Sequence, residues 1–97
     1  MRVEKTAEYS EWIDGLKDMG GRARILMRVD RLIHGNPGDQ GNLTNGVSEL
    51  RVYVGTGYRV YFSRKGDRLL LLLAGGDKSS QAKDIAKAIR LNHDYRE

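Results

Sequence analysis

The 97-residue sequence contains no cysteine, which excludes disulfide staples, thiolate metal sites and cysteine nucleophiles, and suits a reducing compartment. No window approaches the ~18 consecutive apolar residues of a membrane span. The opening stretch MRVEKTAEYSEW is charged throughout and lacks the apolar centre of a secretory signal. A cytoplasmic protein without membrane association is therefore expected. The two histidines, His34 and His93, stand far apart in the chain with no cluster of neighbouring ligands, so no metal and no cofactor are expected. A phosphate-binding P-loop is also missing: the glycines that motif needs before Lys78 are replaced by Asp77 and Leu72. No serine lies in a nucleophile-elbow sequence. Internal repeats and low-complexity tracts are lacking too, and the length fits one domain over residues 1–97.

What is present is positive charge, unevenly placed. The net charge is +4. Residues 1–21 and 35–50 are each at −2, whereas residues 22–34 are at +3 and residues 51–97 at +5. A polyanionic partner is the first functional inference, with solubility alone as the plainer one.

Periodicity divides the chain. Arg2 to Lys5 reads as a short edge strand. Thr6 is a plausible N-cap for a helix whose apolar positions Tyr9, Trp12, Ile13 and Leu16 recur at helical spacing. Gly20-Gly21 is expected to break that helix, and Ile25, Val29, Leu32 and Ile33 mark a second one ending at His34-Gly35. So short a connection implies an antiparallel helical hairpin. Arg24, Arg28 and Arg31 form a basic stripe on the second helix, readable either as a solvated face or as a binding surface.

GNPGDQGNLTNG, residues 35–46, reads as loop. The period then becomes two. Leu50 and Val52 alternate with Glu49, Arg51 and Tyr53; Tyr58, Val60 and Phe62 alternate with Arg59, Tyr61 and Ser63, with Gly55-Thr56-Gly57 as the hairpin turn. The five leucines from Leu69 to Leu73 predict a central strand buried on both faces. Gly75-Gly76 is expected to let that strand turn at the sheet's end, with Asp77 or Ser79 capping a last helix whose apolar face is Ala82, Ile85, Ala86 and Ile89. The predicted fold is α+β: a small antiparallel sheet with an N-terminal helical hairpin on one face, in the order β-α-α-β-β-β-α. Strand parity then places Arg51, Tyr53, Arg59 and Tyr61 on the opposite face, two arginines interleaved with two tyrosines. Such a face suits phosphates and stacked bases, or is the ordinary wet side of a sheet with its arginines paired to Glu49. Lys78 emerges beside it.

Six stretches extend this reading: WIDGLKD at 12–18, GNPGD at 35–39, GVSELR at 46–51, GTGYRVYF at 55–62, GGDKSSQ at 75–81 and DIA at 84–86. In their order from Trp12 to Ala88 the chain resembles the RelE/ParE/HigB toxin superfamily, most closely its phage-derived addiction-module killer-protein branch, which is HigB-like. The resemblance implies a RelE-like fold and the toxin of a type II toxin–antitoxin module. It further implies a metal-independent, ribosome-dependent endoribonuclease, an mRNA interferase that inhibits translation. The alternatives are a ParE-like inhibitor of DNA gyrase that acts by binding, or a toxin fold that has lost its activity. Arg59 then matches the phosphate-binding arginine, with Arg51 and Lys78 as the next catalytic candidates and Tyr61 as a candidate acid. Tyr53, Arg24, Arg28, Arg31, Gln81 and Lys83 are the candidate RNA contacts. The implied partners are the ribosome, mRNA and a cognate antitoxin of helix-turn-helix type. Three departures from the family pattern stand out: Arg51 lacks a paired lysine, Asp84 or Ile85 stands where a tyrosine is usual, and Gly41 occupies a position that is usually basic.

Overall fold

The computed structural model describes residues 1–96. Strand β1 (Arg2–Lys5) leads into helices α1 (Ala7–Gly15) and α2 (Met19–Ile33). Strands β2 (Gln40–Asn42), β3 (Ser48–Val52), β4 (Tyr58–Lys65) and β5 (Leu69–Asp77) follow. A single 3-10 turn at Lys78–Ser80 precedes α3 (Gln81–Asp94). The strands form one sheet in the order β1-β5-β4-β3-β2.

The α+β class is as expected, and two features of the sheet differ from expectation. It is mixed rather than antiparallel, because β1 runs parallel to β5, pairing Arg2 with Leu69 and Lys5 with Leu72. It also gains a strand: Gln40 and Asn42, inside the expected loop, pair with Leu50 and Ser48. Three residues are too few to show a period of two, so β2 leaves no signature in the sequence.

The leucine run behaves as its composition dictates. Strand β5 lies between β1 and β4, so it has no free edge and both its faces are covered. Leu70 and Leu72 enter one core with Ile13, Ile25, Val29, Leu32, Leu50, Val60 and Phe62. Leu71 and Leu73 enter a second core with Val47, Tyr61 and Ala88. Each buried leucine contributes about 1.5–3 kcal/mol relative to exposure. The helices α1 and α2 therefore cover one face, and α3 covers part of the other.

Local capping chemistry explains the helix boundaries. The Thr6 hydroxyl accepts the Tyr9 amide at 3.0 Å and donates to the Leu73 carbonyl at 2.6 Å, which starts α1 and ties it to the sheet. Helix α1 stops at Gly15, ahead of the expected break. Asp18 begins α2 by accepting the Gly21 amide at 3.0 Å, so Gly20 and Gly21 lie inside the new helix. The side chain that accepts this amide also takes the Tyr58 hydroxyl at 2.7 Å, and that bond, followed by the Gly21 amide, holds the Asp18 carboxyl below its ordinary range.

Gly75 and Gly76 have a different purpose from the turn expected of them. Both lie within β5, Gly75 paired with Val60 and Gly76 with Arg59. A Cβ on Gly75 would run into the Trp12 ring, on the helical-hairpin face; one on Gly76 would run into an Asp84 carboxylate oxygen, on the α3 face. The missing side chains let two different groups rest directly on the strand. Asp84 is buried and accepts the Ser80 hydroxyl at 2.6 Å. The face of α3 toward the sheet thus runs through Asp84 and Ala88, while Ala82 and Ala86, expected there, are exposed.

Candidate functional site

Antiparallel register assembles the site. In the β3–β4 pair Arg51 stands directly opposite Arg59, and Glu49 opposite Tyr61. All four side chains belong to the face that α3 shares. Because residues two apart on a strand point the same way, Glu49 lies beside Arg51 and reaches Arg59 diagonally. Its Oε2 accepts from Arg51 Nη1 at 2.7 Å and stands 3.6 Å from Arg59 Nη1. One buried carboxylate thus holds two guanidiniums at adjacent positions.

Arg51 has further partners. Its Nε donates to Asp39 Oδ1 at 3.1 Å, and Nη2 lies 3.1 Å from the same oxygen and donates to the Gln40 carbonyl at 3.2 Å. The bond to Glu49, opposed by burial and reinforced by Asp39, raises the Arg51 pKa above its ordinary value. The unusual Gly41 is explained here. It pairs with Glu49 across β2–β3, and a Cβ would lie 2.8 Å from Arg51 Nη1. The Arg51 guanidinium fills the space that a basic side chain at position 41 would need.

Arg59 is less committed. Its side chain is 14 % exposed, and its one carboxylate partner among the described residues is Glu49. Lys78 emerges at the same end of the sheet, since Arg59 pairs with Gly76 and Tyr58 with Asp77. Its aliphatic stem passes over Gly57, whose Cβ would lie 3.4 Å from Lys78 Cε. Lys78 is exposed, and no carboxylate stands within ion-pair distance of it among the described residues.

Tyr61 requires a correction. Expected on an open face, it is fully buried beneath α3 with Leu71, Leu73 and Ala88. Among the described residues its hydroxyl has no hydrogen-bond partner, and the same holds for Glu49 Oε1 and Gln40 Oε1. Burial, then the charges of Glu49 and Asp84, push the Tyr61 phenol up to about 12. Of the remaining α3 candidates, Gln81 is half-buried at the start of the helix and Lys83 is exposed on it.

Tyr53 also leaves the expected face. Strand β3 ends at Val52, and Tyr53, 65 % exposed, joins Arg24, Arg28 and Arg31 around a shallow cavity of about 340 Å³ between α2 and the 38–39 loop. The candidate residues therefore separate into two groups, with Arg51, Arg59, Lys78 and Tyr61 on β3, β4 and the end of β5, and Arg24, Arg28, Arg31 and Tyr53 against α2.

Asp39 connects the groups. Its carboxylate accepts from Arg51, and its lowered pKa is caused first by Tyr53 and then by Arg51 against burial. Arg28 fastens the same loop, donating to the Arg51 carbonyl at 2.8 Å, the Pro37 carbonyl at 2.9 Å and the Asp39 carbonyl at 3.3 Å. Sequence reasoning treated Glu49 only as an ordinary counter-ion and overlooked Asp39. The signal for Glu49 was its i, i+2 spacing to Arg51 in a strand; Asp39, in a loop with no period, had none.

Among the described residues no three histidine, aspartate or glutamate side chains group to hold a metal ion, and no helix is long and apolar enough to cross a membrane. No protein-family model matches the chain. It is similar to an uncharacterized protein of Haemophilus influenzae, 41% identical over 88 residues that span 91% of this chain and 89% of that protein. At that identity over nearly the full length of both, the chain belongs to the same family as this Haemophilus protein.

Proposed function

We propose that the protein is a RelE-like toxin of a type II toxin–antitoxin module, cutting mRNA on the ribosome and partnered by a helix-turn-helix antitoxin. The observation that carries this reading is the pairing of Arg51 with Arg59 across β3–β4 around one carboxylate, with Lys78 at the same end of the sheet. The order of the matching stretches from Trp12 to Ala88 supports it from the sequence side.

The chemistry asks for this type of site. An RNA 2′-oxygen bonds to the adjacent phosphorus, its proton passes to an acceptor, and the bond from phosphorus to the 5′-oxygen breaks as that oxygen takes a proton. Negative charge gathers on the phosphoryl oxygens in between. Guanidinium groups fixed before the substrate arrives stabilise that charge without reorganising. Arg59, the less committed of the pair, is the primary phosphate contact, Arg51 supports it, and Lys78 supplies a mobile cation at the rim.

One observation favours a second reading, a toxin that acts by binding alone as ParE-like gyrase inhibitors do. Arg51 is engaged by Glu49, Asp39 and the Gln40 carbonyl at once, which is a scaffolding arrangement. Induced expression followed by mapping of mRNA 5′ ends separates the two. The nuclease reading expects codon-phased cuts in translated messages, and Arg59→Ala is expected to abolish both the cuts and toxicity at undiminished folded yield. Intact messages with an induced DNA-damage response would replace it with the gyrase reading. Toxicity undiminished in Arg59→Ala would remove Arg59 from the site.

A further inference from the structure

The cavity against α2 is built differently from a solvated helix face. Arg28 spends its donors on three neutral carbonyls, so its positive charge is not met by a bonded carboxylate. Burial, then the charge of Arg31, lower its pKa, with the Asp39 carboxylate acting against them and Arg24 with them, the mark of guanidiniums crowded on one side of a helix. Arg24 and Arg31 are exposed, and among the described residues neither guanidinium has a hydrogen-bond or ion-pair partner. Among the described residues the one carboxylate lining the cavity, Asp39, is already engaged by Arg51. Tyr53 lines the same cavity with a ring that is 65 % exposed. An accessible ring beside unpaired cations is what a nucleotide needs: a π-face for the base and guanidiniums for the phosphate. An acidic peptide would use the cations and leave the ring idle.

We propose that Arg24, Arg31 and Tyr53 form a nucleotide subsite for single-stranded RNA. A base stacks on Tyr53, and a backbone phosphate lies between Arg24 and Arg31, which are separated by about 10 Å of helix rise. Arg28 is the fixed floor. The proposal rests on the RNA reading above and extends it: the chain holds RNA at a second place, joined to the Arg51–Arg59 pair through Asp39, so that a strand bound at one is guided toward the other.

The test measures the binding of fluorescein-labelled single-stranded RNA to the full chain by anisotropy across a salt series. Arg24→Gln with Arg31→Gln is expected to weaken binding and to make its salt dependence shallower by roughly one unit of log–log slope. Tyr53→Ala is expected to weaken binding about tenfold at every salt concentration, while Tyr53→Phe, which keeps the ring, stays within about twofold of wild type. Tyr53→Ala binding as tightly as wild type, or polyglutamate displacing the RNA as effectively as unlabelled RNA does, would overturn the subsite. Arg59→Ala keeps the two claims apart. If wild type leaves messages intact while Arg59→Ala binds RNA and Tyr53→Ala does not, the nuclease reading fails and the subsite stands. Messages cut equally by wild type and Tyr53→Ala, with equal RNA affinity, would leave the nuclease and remove the subsite.

Discussion

The two faces of the sheet use alternate residues of the same strands, yet they are built on different terms. On the helical-hairpin face, Leu50, Val60, Phe62, Leu70 and Leu72 meet Ile13, Ile25, Val29 and Leu32 in an apolar core. Its buried hydroxyl at Tyr58 is satisfied by Asp18. The α3 face buries Leu71 and Leu73 as well, but beside them it buries Glu49, Ser63 and Asp84 and leaves the Tyr61 hydroxyl unpartnered. A fold of this size is held by a margin of only about 5–15 kcal/mol, so polar burial on one face has to be carried by apolar burial on the other. The hairpin side is apolar and the α3 side carries the buried polar groups, with β5 belonging to both.

The two glycines of β5 expose that difference most directly, and breaking it there gives the largest expected effect. In Gly75→Ala the new methyl meets the Trp12 ring, which is wedged between Tyr9 and Tyr58 at centroid separations of 6.1 and 6.4 Å. A ring so held cannot retreat, and a loss of about 3 kcal/mol is expected, the upper end of overpacking costs. In Gly76→Ala the methyl meets the Asp84 carboxylate, the far end of a side chain that can rotate. About 1 kcal/mol is expected, with the start of α3 loosened. Urea unfolding of both variants checks the order; equal losses would show the α3 face to be as rigid as the hairpin face.

Much of this contrast was legible in the sequence, and the part that was not has physical reasons. Five consecutive leucines have no use except between two covered faces, so the central strand followed from composition. Thr6 and Gly35 marked helix ends because capping is local chemistry, and the hydroxyl bond at Thr6 and the positive φ of 83° at Gly35 are both present. Strand parity brought Arg51 and Arg59 together. Parity says nothing, however, about what covers a face, and so Tyr61 was expected in the open. The start of α2 was misplaced because Asp18 outweighs two glycines of low helix propensity through a side-chain bond that composition does not reveal. Asp84 lay outside the expected apolar face of α3 because a carboxylate can be buried once Ser80 satisfies it and Gly76 makes room.

Glu49 sharpens the comparison at its polar centre. Glu49→Gln keeps the shape and removes the charge that two guanidiniums share, leaving them opposite one another with Asp39 as the remaining carboxylate. A loss of about 2 kcal/mol is expected, the scale of a hydrogen bond to a charged group in a partly buried pair. Adding Arg59→Gln should return part of it, because the like-charge contact goes too. A double-mutant cycle in urea measures the coupling. Strict additivity would mean that Glu49 does not hold the two arginines together, and the site would lose its organising group.

The smallest effect, and the most discriminating, concerns one tyrosine on each face. Burial pushes the phenols of Tyr9 and Tyr61 up from 10.0 to about 12. A phenol that keeps its proton more tightly when folded contributes stability that is complete below pH 10 and is lost as pH rises through about 12. Stability should therefore fall over that window, and Tyr9→Phe and Tyr61→Phe should each flatten part of the fall. At neutral pH Tyr61→Phe removes a buried hydroxyl that has no partner among the described residues, and a gain of up to about 1 kcal/mol is expected, since an unsatisfied group costs more than it returns. A loss of that size would show that the hydroxyl is bonded in solution. Under the proposed nuclease reading, undiminished mRNA cleavage by the same variant would leave Tyr61 a core residue, whereas loss of cleavage with stability intact would return it to the chemistry and require the α3 face to open when RNA binds.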